Sequence, residues 1–367
     1  MTSRCDAFPR LVRPSDVCRV FLAASLSIGL LFSSTAGAQH LKSPLAGLIY
    51  MGKIGFHNED QGVPDNSLAA MESAPGLFNA VVINITWAQL QPAPNSLVTT
   101  ALDSSLQSVR DYNRRHPHTA LAVKLRIWGG PNAPLWVKKL GGAPIAVSHR
   151  GLPITVGRFW SEPYNRAWRD LQDRLGSRYD SDPLIRTIGN AACASKTDEP
   201  FNLPADPQSL PSLHKAGFSD SEFRRCLSTA YADYSHWPTT PIEYPFNPFR
   251  ATDSGAPRAD RGFAIQVMID WRRKLGARGV IANHSLQSPP AQGMVPIYDE
   301  IRTLGAPIQF QTHAPNGLDW GATFRYGISL GASAIEVWNE TRPGSYNKIP
   351  PREMYQWSAE LRHNKAM

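Results

Sequence analysis

The chain has 367 residues and carries 38 Lys and Arg against 30 Asp and Glu, a formal net charge of +8. The basic residues are interleaved with acidic ones and form no run that would track a phosphate backbone. The charge therefore reads as a solvated surface, and nucleic acid is excluded as the partner. Residues 1–38 look like a secretory signal: Arg4, Arg10, Arg13 and Arg19 make a basic start, and Val20 to Phe32 supply an apolar run too short to span a bilayer comfortably. Ala36-Gly37-Ala38 then fits a small-residue cleavage site. We expect a secreted or periplasmic protein with no membrane span in the mature chain, an uncleaved anchor being the alternative, and residues 39–367 folding as one domain.

Hydrophobic runs of strand length alternate with amphipathic stretches of helix length through that domain, the pattern of a parallel sheet covered by helices. The first strand is expected from Leu48 to Ile54, with a helix near Asp65 to Glu72, and the second from Ala80 to Trp87, with a helix from Ala101 to Arg115 that stops before Pro117. The third runs from Leu121 to Trp128 and is followed by a long insertion and a helix from Glu162 to Tyr179. The fourth starts at Ile185 and opens into a polar loop bearing Asp198-Glu199-Pro200; its helix lies near Asp220 to Tyr234. The fifth, from Pro241 to Phe246, has the weakest pattern and is followed by a helix from Gly262 to Leu275. The last three strands, Gly279 to His284, Pro307 to Thr312 and Ala334 to Trp338, precede helices at Met294 to Leu304, Leu318 to Leu330 and Pro351 to Arg362. Eight pairs in unbroken order predict an α/β fold, the closed (β/α)₈ or TIM barrel. The long connections, near 129–161, 194–218 and 247–260, all follow strands, which puts the elaborated loops on one rim.

Alternation along barrel strands separates residues that pack under the helices from those that fill the lumen. Ile335 and Val337 belong outside, so Ala334, Glu336 and Trp338 turn inward; Ile308 and Phe310 belong outside, so Gln309 and Gln311 turn inward. The same rule turns Lys124, Arg126 and Trp128 inward on the third strand, and Asn84 and Thr86 on the second. A carboxylate inside a barrel is costly unless paired. Glu336 is then either an ion-pair partner of Lys124 or Arg126, or the second carboxylate facing Glu199, since glycosidic bonds are cleaved between two carboxyl groups. Trp87, Trp128, Trp136, Trp160, Trp338 and Tyr164 fall at strand ends and in rim loops, where each ring either packs in the core or a loop or stacks on a sugar face. Asn190, Asn283, Gln311 and Arg126 are candidate partners for sugar hydroxyls.

These residues resemble the glycoside hydrolases of clan A, most closely the catalytic barrel of family 42 β-galactosidases. Thr86-Trp-Ala-Gln-Leu-Gln-Pro92 is similar to that group's strand-two ending, and Pro134-Leu-Trp-Val137 to its segment after strand three. Tyr179-Asp-Ser-Asp-Pro-Leu-Ile185 resembles the approach to strand four, and Asp198-Glu199-Pro200 the Asn-Glu-Pro that carries the general acid/base. The resemblance spans roughly residues 48–201 and implies a carbohydrate substrate and a glycosidase activity with Glu199 as acid. The chain departs from the pattern twice. Asp198 replaces Asn, and an anionic neighbour raises the pKa of Glu199. The strand-seven Glu that serves as nucleophile in the clan is missing, Gln309 and Gln311 being the residues there, so Glu336, or else Glu340 or Glu243, would have to take its place. The other class to weigh is a carbohydrate-binding barrel without catalysis.

Other chemistries lack their signatures. There is no Gly-x-Ser-x-Gly elbow, no His-Glu-x-x-His helix and no phosphate-cradling Gly-rich loop after a strand, so neither a metal nor any cofactor is expected. The dispersed His57, His149, His284 and His313 would converge only through the fold. Of the four cysteines, Cys5 and Cys18 leave with the signal; Cys193 and Cys226 remain, as one disulfide or as two buried thiols. Sequon-like triplets at Asn84, Asn283 and Asn339 fall in or beside strands and read as chance. Nothing in the sequence marks an oligomeric state.

Overall fold

Eight parallel strands close into a ring in sequence order: β1 (Gly47–Ile54), β2 (Ala80–Thr86), β3 (Ala122–Trp128), β4 (Ile185–Gly189), β5 (Ile242–Pro245), β6 (Gly279–Leu286), β7 (Ile308–Thr312) and β8 (Ala334–Val337), with β8 pairing back onto β1. The computed structural model describes residues 40–54, 67–149, 151–204, 206, 208–254, 257–313, 317–338 and 349–366. Among these, a helix follows every strand: α1 (Ser67–Ser73), α2 (Thr100–Arg115), α3 (Glu162–Tyr179), α4 (Asp220–Thr229), α5 (Arg261–Leu275), α6 (Val295–Leu304), α7 (Trp320–Ser329) and α8 (Pro351–Ala366). The (β/α)₈ barrel expected from the alternation of patterns is the fold. The expected signal segment, His57, Glu340 and Asn339 lie outside the described residues.

The helices form where apolar residues recur at three- and four-residue spacing. In α2 the buried stripe is Leu102, Leu106, Val109 and Tyr112; in α3 it is Tyr164, Trp168, Leu171, Leu175 and Tyr179. Their starts are fixed chemically: Ser219, Asp260 and Asp319 accept the backbone N–H of Glu222, Phe263 and Ala322 at the starts of α4, α5 and α7. Outward residues of the strands, including Ile83, Ile85, Leu125, Ile127, Phe310 and Ile335, pack beneath these helices in one continuous core. At 25–30 cal/mol per Å², each such fully buried side chain contributes roughly 1.5–3 kcal/mol before chain entropy is set against it.

The lumen is filled differently from bottom to top. A small apolar plug of Leu45, Ile49, Ala80, Val82 and Ala334 closes the base. Above it the inward residues are charged or polar. Lys124, Arg126, Gln309, Gln311 and Glu336 are all buried inside the ring, as the alternation required.

The long connections contain structure that the sequence did not announce. The segment after β3 folds into an antiparallel hairpin, Ile145–His149 with Leu152–Val156, and a smaller hairpin, Phe249–Ala251 with Arg258–Asp260, follows β5. Cys193 and Cys226 form a disulfide, which settles the two readings of that pair and ties the loop after β4 to α4. No helix among the described residues is long and apolar enough to cross a membrane.

Candidate active site

The loops at the C-terminal ends of the strands surround a cavity of about 220 Å³. Glu199 and Asp198 come from the loop after β4, Arg126 and Trp128 from β3, His284 and Ser285 from β6, Gln311 from β7 and Trp338 from the end of β8. The loop after β4 is pinned from two sides. The disulfide holds Cys193, and Gly130, at φ +54°, fits so tightly against Ser195 and Ala194 that a Cβ there would lie 2.9 Å from the Ser195 carbonyl carbon.

Beneath the cavity lies a fully buried charge lattice. Lys124 Nζ is 2.7 Å from Glu243 Oε1 and 2.8 Å from Glu336 Oε2. Arg126 Nη2 is 2.6 Å from the same Glu336 oxygen and 3.3 Å from Gln311 Oε1, which accepts from it. Arg126 Nε stands 2.8 Å from Asp198 Oδ2, an ion pair in which the N–H is not aimed at the oxygen. His284 Nε2 lies 3.1 Å from Glu243 Oε1, and its Nδ1 lies 3.5 Å from Asp198 Oδ2 and 3.7 Å from Glu199 Oε1.

Counting charge explains the titration of every group the lattice shifts. Burial would push Glu243 and Glu336 up, but Lys124, Arg126 and His284 together hold both below the usual carboxylate range. For His284, burial opposes the charge and Glu243 and Asp198 outweigh it, so the imidazole is held above its ordinary value. Three cations, Lys124, Arg126 and His284, thus face three carboxylates, Asp198, Glu243 and Glu336. Glu199 is the fourth carboxyl and is left over. Burial, reinforced by Asp198, raises its pKa against the weaker pull of His284, Lys196 and Arg126. Asn202 and Asn247 each donate an amide N–H to Glu199 Oε2, the second at 3.1 Å, which leaves Oε1 facing His284.

Four of the seven expected substrate contacts, Arg126, Trp128, Gln311 and Trp338, line the cavity. Trp128 Nε1 donates to Asn84 Oδ1 at 3.0 Å, and the indole N–H of Trp338 has no hydrogen-bond partner among the described residues. The other three do not reach it. Trp87 has the parity of Ile83 and Ile85, so it packs outward, edge-on against Tyr164 and Trp168, with its indole N–H on Gln91. Asn190 follows the inward Gly189 and turns outward to accept from Tyr234, and Asn283 turns outward to accept from Tyr298 while donating to Asn247. Thr86 ends β2 as the cap of the short helix Trp87–Leu90. Trp160 and Tyr164 are core residues, and Trp136 donates to Gln91 O outside the cavity. Glu336, expected as the second catalytic carboxylate, and Glu243 are fully buried one layer below the cavity wall, in ion pairs.

Sequence reasoning underweighted His284. Its signal was present, because on β6 it shares the inward parity of Val280 and Ala282, Val280 being registered against Glu243. His149, Lys196, Asn202 and His313, which also line the cavity, come from loops or strand ends whose course no periodicity encodes.

No protein-family model matches the chain, and a search of curated proteins finds no match by sequence. Solved structures do match in shape. Endo-glycoceramidase II from Rhodococcus sp. superposes with a TM-score of 0.52 at 15% identity, covering 88% of this chain and 80% of that one. Its lactosyl-enzyme intermediate gives 0.51 at 14%, covering 83% and 76%. XacCel5A gives 0.52 at 12%, covering 87% and 99%. The chain therefore has the closed parallel barrel of these glycoside hydrolases; at such identities the likeness is one of fold.

Proposed function

We propose that the chain is an exported glycoside hydrolase in which the cavity holds a carbohydrate and Glu199 gives its proton to the departing glycosidic oxygen. The observation that carries this reading is the charge count around His284. With three cations already matched by three carboxylates, the remaining carboxyl is the one on the cavity wall, and burial raises its pKa above the ordinary carboxylate value. A carboxyl with a raised pKa in a partly dry site is the form a general acid needs. Trp128 and Trp338 supply ring faces beside it. Asp198-Glu199-Pro200 in the loop after β4 resembles the Asn-Glu-Pro of clan A glycoside hydrolases, with Asp198 in place of Asn.

The second carboxylate in this proposal is Glu336. Its Oε2 is engaged by Lys124 and Arg126, and its Oε1, without a hydrogen-bond partner among the described residues, is buried beneath the cavity wall, so the part of Glu336 in this proposal is to hold Arg126 and the charge of the site in place. One observation favours a second reading, a carbohydrate-binding barrel without hydrolysis: Gln311 occupies the cavity wall on β7 while Glu336 is fully buried behind Arg126. Hydrolysis of an aryl-glycoside panel by the wild type, Glu199→Gln and Glu336→Gln separates the two. Loss of turnover in both variants supports the hydrolase, activity surviving both changes removes the assignment, and sugar binding by a wild type that turns nothing over favours the binding barrel.

A further inference from the structure

We propose that the cleft continues past Glu199 into a second depression that seats the oxyanion of an acidic sugar, so that the carbohydrate taken by this barrel is anionic. The proposal rests on reading the Glu199 cavity as a sugar site. A depression of about 300 Å³ adjoins that cavity, and Lys196 and Asn202 belong to the walls of both. Asn202 is also the residue whose amide donates to Glu199 Oε2, so a group in the depression lies one side chain away from the proton donor.

The charge of this second wall is one-sided. Lys196, Arg250 and Arg258 line it, no Asp or Glu among the described residues does, and Phe201 and Phe249 give it an apolar floor. Arg250 and Arg258 sit on the two strands of the hairpin after β5 and make no ion pair among the described residues. The acid nearest in sequence, Asp260, is matched elsewhere: it pairs with Arg224 at 2.8 Å, and Arg224 in turn stacks 4.1 Å from the centre of the Phe249 ring.

The acidic groups of the first cavity do not offset that wall: Asp198 is matched by Arg126, and burial holds Glu199 towards its neutral form. A neutral sugar makes no use of this excess. A carboxylate or sulfate on the neighbouring ring is held by charge-assisted hydrogen bonds from the arginines, which are planar donors suited to oxyanions. Carboxylate and sulfate share that chemistry, and the probes below tell them apart.

The test is calorimetric titration of the protein with tetragalacturonate, with its fully methyl-esterified neutral form, and with a κ-carrageenan tetrasaccharide whose only charge is sulfate. An anionic probe is expected to bind about tenfold or more tightly than the neutral ester, with a preference that shrinks as salt is raised. Which charged probe binds identifies the oxyanion. The double variant Arg250→Ala/Arg258→Ala is expected to bring the difference within about twofold, and Arg250→Lys/Arg258→Lys to retain part of it. Equal binding of the neutral ester, an undiminished preference in the double Ala variant, or failure of all three probes to bind overturns the proposal. Glu199→Gln keeps the two readings apart: acid preference together with hydrolysis that survives this change would sink only the proton-donor role, and hydrolysis lost in this variant without any acid preference in the wild type only the basic depression.

Discussion

Glu243 and Glu199 meet the two nitrogens of a single imidazole, His284 Nε2 lying 3.1 Å from Glu243 Oε1 and Nδ1 3.7 Å from Glu199 Oε1. The buried lattice and the carboxyl on the cavity wall are therefore electrically one system. A protonated His284 pulls the pKa of Glu199 down, against the larger upward push of burial. Replacing it with neutral glutamine removes that pull. Glu199 then keeps its proton to higher pH, and since a general acid works only while protonated, the alkaline limb of the kcat/KM profile of His284→Gln moves up. A limb that stays or moves down would separate His284 from the acid.

Asp198 acts on Glu199 with the opposite sign, so Asp198→Asn is expected to move the same limb down. The change also restores the Asn of the resembled motif. A pH profile of this variant is a second reading of the same coupling, because it alters the neighbour and leaves Glu199 intact.

Lys124 has no route to solvent and matches two carboxylates at once. Lys124→Met leaves Glu243 and Glu336 short of a buried cation and is expected to cost about 3–5 kcal/mol in denaturant unfolding. The wild type's response to pH follows from the shifts. Glu243 and Glu336, depressed in the fold, contribute stability that is present above their ordinary value of 4.5 and is lost as pH falls through their folded values. His284, raised in the fold, contributes stability that is present below its ordinary value of 6.5 and is lost as pH rises through its folded value. For these groups, thermal stability is then greatest between about 4.5 and 6.5 and falls on both sides. Loss on the acid side alone would mean that His284 is not held charged.

The disulfide closes a separation of 33 residues that includes the loop carrying Glu199. By chain entropy a loop of that size is worth about 3–4 kcal/mol. Cys193→Ala/Cys226→Ala is expected to lower unfolding stability by that order and to raise KM more than the barrel's loss of stability alone would, since the loop after β4 loses one of its two anchors. Unchanged KM would mean that the packing of Gly130 against Ser195 suffices to hold it.

Much of this site could be read from strand parity. The rule that sends Val123, Leu125 and Ile127 outward puts Lys124, Arg126 and Trp128 inside, and the same alternation gave Glu336 and Trp338 correctly. The expected sugar contacts that fall outside the cavity are those chosen by residue type against parity: Trp87 continues the outward series of Ile83 and Ile85, and Asn283 that of Ile281. What parity does not reach is the lateral partner of an inward residue. Glu336 joins Lys124 and Arg126 across the lumen, and Lys196 and Asn202 arrive on a loop whose path is set by a disulfide and by a tight glycine contact.

The central claim is that Glu199 is the proton donor, and the most direct measurement compares Glu199→Gln with the wild type on aryl glycosides of one accepted sugar bearing leaving groups of different basicity. A poorly stabilised leaving group needs the proton; 2,4-dinitrophenolate does not. The expected result is a loss of kcat/KM of roughly 10²–10⁴-fold on the basic leaving group, with little change on the 2,4-dinitrophenyl glycoside. An equal loss on both substrates, or none on either, would contradict it.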